Sequence, residues 1–276
     1  MAETLIFLDI DGTLVASGET EPSASAQEAI RRAQAAGNRV FLCSGRNVRM
    51  LKPLLAFGFD GFIASSGGYV SCGGHVLFDA PMSAQMQEDV MTALGNAGIA
   101  RIAESRDCAY ADERYLDYLR QKLPGGASSE LSRWRTQLQQ DLGLLPMTAY
   151  AGQTLYKIVL LCESRELLER VYSPLRQAFA LVVQGSDEHG AVNAELVPRA
   201  FDKGRGIQQV CSYLDISPAR CYGYGDSMND RELLEAVGHG VAMGNACEEL
   251  KALADEVCPC VEQNGLYLSF QKNGLF

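Results

Sequence analysis

Thr4-Leu5-Ile6-Phe7-Leu8-Asp9-Ile10-Asp11-Gly12-Thr13 is the stretch from which the rest of the chain is read. Thr4 to Leu8 is short and almost wholly apolar, the pattern of a strand buried on both faces of a parallel sheet. Asp9 and Asp11 stand at its carboxyl end, and a glycine follows. Open α/β folds bind ligands in the crevice beyond the carboxyl ends of their parallel strands. Residues i and i+2 of an extended chain point the same way, so these carboxylates converge there. Like charges so placed are costly unless a cation or a proton intervenes. A divalent metal is the simplest relief.

Outward from this stretch, strand-like and helix-like segments alternate, which predicts βαβ units and a doubly wound, mostly parallel α/β sheet. Ser23 to Ala36 has helical apolar spacing, serines for a cap and Gly37 as a stop. Val40 to Cys43 reads as a strand ending in Ser44-Gly45-Arg46, with a helix from Asn47 to Ala56 after it. Phe62 to Ala64 reads as a third strand. Tyr69 to Phe78, centred on Gly73-Gly74, reads as a hairpin. From Met82 the texture changes. Helices are expected at Gln85–Asn96, Arg114–Leu123, Glu130–Leu142 (after the break Pro124-Gly125-Gly126) and Glu166–Ala178. Strands are expected at Tyr156–Cys162, Leu181–Gln184 and Asn193–Val197. The first texture returns with a helix at Lys203–Leu214, a strand at Cys221–Gly225, a helix at Met228–Val237 and a strand at Gly240–Ala242. The organisation expected is a core of residues 1–81 and 188–276 with an inserted α/β domain at 82–187, the size of a small domain.

The 276 residues are 47% hydrophobic and 21% charged, the balance of a folded globular protein. A formal net charge of −10 argues against a general nucleic-acid or anionic-membrane binder, which needs a basic face. No apolar run approaches the ~20 residues of a membrane span and no leader pattern opens the sequence, so a cytoplasmic, non-membrane protein is expected, as monomer or homodimer. The 9 cysteines are scattered, and Cys258-Pro259-Cys260 lacks the second pair of a zinc site. They read as reduced and structural.

Four segments carry complementary chemistry. Asp9 is ionised at neutral pH by its ordinary pKa and can attack phosphorus, splitting hydrolysis into two steps. Asp11 can protonate a leaving oxygen and later deprotonate water. Gly12 permits a sharp turn. Ser44 offers a hydroxyl and Gly45 an open backbone N–H to a phosphoryl oxygen. Arg46 either clamps phosphate or pairs with a carboxylate. Lys203 places a point charge at a positive helix end. In Gly225-Asp226-Ser227-Met228-Asn229-Asp230, Asp226 can share a magnesium ion with Asp9 and the backbone carbonyl of Asp11, a sparse oxygen set of the kind magnesium accepts. Asn229 can bond the phosphate, and Asp230 can steady Lys203 or the groups around the metal.

Asp9-Ile10-Asp11-Gly12-Thr13, Ser44-Gly45-Arg46, Lys203 and Gly225 to Asp230, in this order, resemble the four motifs of the haloacid dehalogenase superfamily. The long insert, Glu195-Leu196-Val197-Pro198 before Lys203 and Gly240-Val241-Ala242-Met243-Gly244-Asn245-Ala246 are similar to the Cof-type sugar-phosphate phosphatases. The resemblance implies Asp9 as nucleophile and Asp11 as acid/base. It implies Mg2+ held by Asp9, Asp11 and Asp226, phosphate or substrate binding by Ile10, Ser44, Gly45, Arg46, Lys203 and Asn229, and support from Gly12 and Asp230. It further implies that the insert is a cap that selects a small phosphorylated metabolite. Aspartate at position 11 is the mark of the phosphatase branch. The sequence departs at Ser44, where threonine is frequent, and at Ser66-Gly67, where the family often has asparagine-glycine.

Taken singly, Ser44 reads as a helix cap, Lys203 as a solvated residue and Asp226 as a helix-start carboxylate; their order and strand-end placement together favour catalysis. A calcium hand is excluded because no further oxygen ligands and closing glutamate follow Asp11-Gly12. His75, His189 and His239 are too dispersed for a metal cluster, and Trp134, Tyr115 and Tyr118 read as core of the insert. The expected activity is hydrolysis of small phosphate monoesters, sugar phosphates foremost, through an aspartyl phosphate. Phosphoryl transfer between sugars and turnover-free ligand binding are the alternatives.

Overall fold

Leu5–Leu8 forms β1, whose four side chains are all fully buried. The structure, a computed structural model, describes residues 3–120, 143–186 and 191–276. After β1 come α1 (Ala24–Ala35), β2 (Arg39–Cys43), α2 (Val48–Leu55), β3 (Gly61–Ala64), β4 (Tyr69–Cys72) and β5 (His75–Asp79). The middle of the chain supplies α3 (Ala84–Asn96), β6 (Ala100–Glu104), β7 (Ala109–Ala111), α4 (Glu113–Arg120) and β8 (Leu144–Pro146). It continues with β9 (Lys157–Cys162), α5 (Arg165–Tyr172), β10 (Phe179–Ser186) and β11 (Val192–Pro198). The last part gives α6 (Lys203–Leu214), β12 (Cys221–Gly225), α7 (Arg231–Glu235), β13 (His239–Ala242), α8 (Glu248–Lys251), β14 (Glu256–Val257) and α9 (Gly265–Lys272).

The chain divides into two units: residues 1–46, 51–79 and 202–276, and residues 47–50 and 80–201. In the first, the sheet order is β14-β13-β12-β1-β2-β3-β4-β5. β14 through β3 run parallel, and β4 and β5 close the edge as the expected hairpin. β1 lies between β2 and β12, with Leu8 opposite both Leu42 and Tyr224. Chain order runs outward from β1 through β2 and β3 on one side and through β12 to β14 on the other. The reversal falls between β1 and β12, which opens a crevice at their carboxyl ends. Phe7 stacks on Phe41 at 5.1 Å between ring centroids, and Ile63, Ile207, Val210 and Leu233 continue that core.

Local signals set the helix starts. Ser23 Oγ accepts the Ala26 amide at the head of α1, and Ala26, Ala29, Ile30 and Ala33 form its buried stripe. Asp202 caps α6 by accepting the Arg205 amide at 2.7 Å.

The second unit is a sheet in the order β10-β11-β9-β6-β7-β8, antiparallel except for β7 with β8. Each face has its own apolar cluster. Val90, Leu94 and Leu168 pack with Ile158, Leu160 and Leu196; Tyr115, Leu116 and Leu119 of α4 pack with Ile102 and Val159. Within this sheet the Lys157 ammonium is wholly buried, 2.6 Å from Glu195 and 3.1 Å from Glu104.

The insert therefore ends later than residue 187. β11 was assigned by the sequence to the core, yet it pairs with β9 and β10 and lies in the second unit, whose boundary falls at 201/202. β6, β7, β8, β14, α8 and α9 are additional elements, too short or too mixed in polarity to stand out in sequence. The helix expected at Met228–Val237 begins as a 3-10 turn, Met228–Asp230, before α7. The break at 124–126, the helix expected at 130–142, Trp134 and His189 lie outside the described residues. All 9 cysteines are free thiols. Among the described residues no helix is long and apolar enough to cross a membrane.

Candidate active site

The loop after β1 is folded by its own backbone. The Asp9 amide still donates to Tyr224 O at 3.0 Å, prolonging the ladder with β12. The amides of Thr13, Leu14 and Val15 then converge on Ile10 O at 3.3, 3.0 and 2.9 Å, turning the chain away. Gly12 sits at φ +85°, and a Cβ there would lie 2.2 Å from Asp226 Oδ2. Glycine is required both for the left-handed backbone and for the approach of the second loop.

That second loop leaves β12 at Gly225. Asp230 Oδ2 accepts the amides of Asp226 and Ser227 at 3.0 and 3.2 Å, closing the loop on itself. Lys203, the first residue of α6, donates from Nζ to Asp9 Oδ1 at 2.7 Å and to Asp230 Oδ1 at 2.5 Å. All three groups are buried. Three of the sequence-predicted residues, drawn from positions up to 221 apart, thus share one ion group, and Asp226 adjoins it.

Asp9, Asp226 and Asp230 each offer an oxygen within 4.8 Å of the other two. Asp226 Oδ1 is buried without a hydrogen-bond partner among the described residues. Burial first, and then the Asp230 charge, push the Asp9 carboxyl up to about 7, against the lowering pull of Lys203. Burial and the carboxylates of Asp230, Asp9 and Asp11 push Asp226 up to about 9. Burial works against the Lys203 ammonium, but Asp230 and Asp9 outweigh it and hold its pKa well above the ordinary value. Excess buried negative charge beside an unsatisfied carboxylate oxygen is what a hard divalent cation would relieve. The donor set fits such an ion. Asp230 is the least available of the three, because both its oxygens already accept bonds.

Asp11 turns elsewhere. Arg46 Nε donates to its Oδ2 at 3.0 Å and Arg46 Nη2 to its Oδ1 at 2.7 Å. Of the two readings left open for Arg46, the structure has the pairing with a carboxylate. Ser44 is buried, and its Oγ accepts the Arg46 amide at 3.2 Å, leaving the hydroxyl proton for another acceptor. Gly45 is also buried. The Ile10 side chain is fully buried, so only its backbone can meet a ligand. Asn229 accepts from Ser227 Oγ at 2.9 Å. Ser44 to Arg46 and Asp226 to Asp230 follow β2 and β12, the strands flanking β1, so both loops border the end of β1.

Two supports were not read from sequence. Asn245 Nδ2 donates to Gly12 O at 2.8 Å while its Oδ1 accepts the Val261 amide. An asparagine just past an apolar strand end is the signal that would have pointed to it. Ser65 and Ser66, at φ 50° and 57°, turn their amides onto the carbonyls of Arg46 and Ser44, bracing the second motif. His239 pairs with Glu256 at 3.3 Å at the opposite, amino end of β13, and His75 is exposed at the start of β5.

The family model of the haloacid dehalogenase-like hydrolases matches residues 6–269. YkrA of Bacillus subtilis (strain 168) is 28% identical over 279 residues, covering 100% of this chain and 99% of its own. The 5-amino-6-(5-phospho-D-ribitylamino)uracil phosphatase YwtE of the same organism is 27% identical over 281 residues, covering 95% of this chain and 94% of its own. The solved structure of the HAD subclass IIB sugar phosphatase BT4131 superposes with a TM-score of 0.78 at 20% identity, covering 99% of this chain and 100% of that one, a likeness of fold. With aspartate at both positions beyond β1, the chain belongs to the haloacid dehalogenase-like hydrolases, as a Cof-type enzyme of their phosphatase branch.

Proposed function

We propose that the protein is a magnesium-dependent phosphatase that hydrolyses small phosphate monoesters, sugar phosphates foremost, through an aspartyl phosphate. The observation that carries the reading is Lys203 bridging Asp9 and Asp230 beside the unsatisfied Asp226 oxygen. A nucleophile, a fixed cation and a metal-ready carboxylate converge at one strand end, which is the equipment of phosphoryl transfer.

In the first step an Asp9 oxygen attacks phosphorus, the ester P–O bond breaks, and the departing oxygen takes a proton from Asp11. In the second, Asp11 removes a proton from water, whose oxygen attacks phosphorus, and the Asp9–phosphorus bond breaks to release inorganic phosphate. Lys203 keeps Asp9 aimed and offsets charge on the phosphoryl oxygens. Ser44 and the Gly45 amide donate to those oxygens, and Asn229 lies on the facing loop. Asp9 and Asp226, with the Asp11 carbonyl, would hold Mg2+, which when bound neutralises the phosphate and keeps Asp9 ionised. The ribityl phosphate in the name of the relative YwtE supports a polyhydroxylated substrate class.

The test is phosphate release from a panel of phosphorylated metabolites with magnesium present. Turnover is expected on several sugar phosphates, lost on chelation with EDTA, regained on adding magnesium, and abolished in Asp9→Asn. Activity that survives both Asp9→Asn and EDTA would overturn the proposal.

A further inference from the structure

The geometry points to Arg46 as the residue that positions the acid/base Asp11, through a planar two-point fork rather than through its charge alone. This inference rests on the hydrolytic reading above and adds a role within it.

Both Asp11 oxygens are engaged by one guanidinium, Nε on Oδ2 at 3.0 Å and Nη2 on Oδ1 at 2.7 Å. Both side chains are largely shielded, at 12% and 20% exposure, so the pair is not one of the solvated surface bridges that contribute little. Two parallel bonds fix the carboxylate plane as well as its position, which a single ammonium cannot do. The fork is itself held from behind. The Arg46 amide donates to Ser44 Oγ, and the Arg46 carbonyl accepts the Ser65 amide at 2.8 Å. The left-handed Ser65 and Ser66 therefore brace the loop that aims Asp11.

Asp11 lies beyond the turn at Ile10, outside the β1 ladder, so its side-chain direction is not set by strand geometry. Asp9 is set by the ladder and by Lys203; Asp11 is set by Arg46. General acids and bases must lie within hydrogen-bond reach of the atom they serve, and small displacements cost heavily.

The test uses aryl phosphates of graded leaving-group acidity, namely 2,4-dinitrophenyl, 4-nitrophenyl and phenyl phosphate, on the full chain with magnesium. Loss of acid/base positioning damages poor leaving groups most. In Arg46→Lys and Arg46→Ala, kcat/KM on phenyl phosphate is expected to fall about 10²-fold or more, within the range a general acid supplies. On 2,4-dinitrophenyl phosphate it falls far less, while a burst of dinitrophenol precedes slow turnover because the second step still needs the base. Guanidinium ion at low, non-denaturing concentration partly restores Arg46→Ala. Adding Asp11→Asn costs little beyond either single change, since both remove one function. Arg46→Lys keeps the charge and most of the stem, so it stands in where Arg46→Ala fails to fold by circular dichroism.

An even loss across the three esters with a raised KM, additive with Asp11→Asn, would make Arg46 a phosphate ligand and overturn the inference. If the wild-type chain releases phosphate from none of the esters, the hydrolytic reading falls and carries this inference with it. An active wild type with evenly damaged variants rejects the positioning role alone.

Discussion

At the scale of single residues, the site depends on contacts that leave no room for substitution. Gly12→Ala forces a Cβ to within 2.2 Å of Asp226 Oδ2 at a left-handed backbone position. The two loops must part, and displacement by about 1 Å can cost about 10²-fold in rate; kcat should fall by that order and magnesium titrations should show weaker binding. Lys203→Met leaves Asp9 and Asp230 buried without their cation. Removing one partner of a buried ion group costs about 3–5 kcal/mol, so the melting temperature should drop sharply, with magnesium recovering part of it. A variant as stable as wild type would show that the ion group is not a stabilising feature. Asp9, Lys203 and Asp226 were legible in sequence because each side chain brings its own chemistry to a strand or helix end. The partner of Arg46 was not, because it depends on how the loops after β1 and β2 are turned. Asn245 was hidden for a similar reason: it acts on a backbone carbonyl 233 positions away.

At the scale of elements, α6 connects helix stability to the site through its first turn. Asp202→Ala removes the cap, worth about 1 kcal/mol, and frees the turn that starts with Lys203. A fall in melting temperature of a few degrees should accompany a measurable loss of kcat, and Asp202→Asn should restore both. An unaltered kcat in a destabilised Asp202→Ala protein would separate the cap from the site. In the second unit, Lys157 joins β9 to β6 and β11 through two glutamates in a dry setting. Lys157→Met alone should cost about 3–5 kcal/mol, whereas replacing all three with apolar residues should be far milder; denaturant melts of the two variants compare them. Strands with buried, uniform faces such as β1 and β2 were plain in sequence. β6 was not read as a strand, since it puts a buried glutamate where alternation would expect an apolar or exposed position.

At the scale of the whole molecule, charge ties stability to pH. The Asp226 carboxyl rises to about 9 in the folded protein from an ordinary 3.8. Between these values the folded chain holds a proton that the unfolded chain releases, so stability falls as pH climbs from about 4 to about 9. Asp9, raised to about 7, adds to the fall in the lower part of that range. Melting temperatures in EDTA should therefore decline across the range, and magnesium should flatten the decline, with its largest effect at the alkaline end; parallel curves with and without magnesium would contradict this. The α/β class was legible from alternating texture; of the expected boundaries the first lies two residues earlier and residues 47–50 group with the second unit, while the second boundary moved furthest, because β11 resembles a core strand in composition while pairing with β9 and β10. The interrupted layout also dictates an order of synthesis. β1 takes its place beside Cys221 to Tyr224, so the central strand waits without one neighbour until more than 200 further residues have been made. The second unit draws all the strands of its sheet from residues 80–201 and can close sooner, which leaves the apolar Leu5–Leu8 stretch half-paired through most of translation.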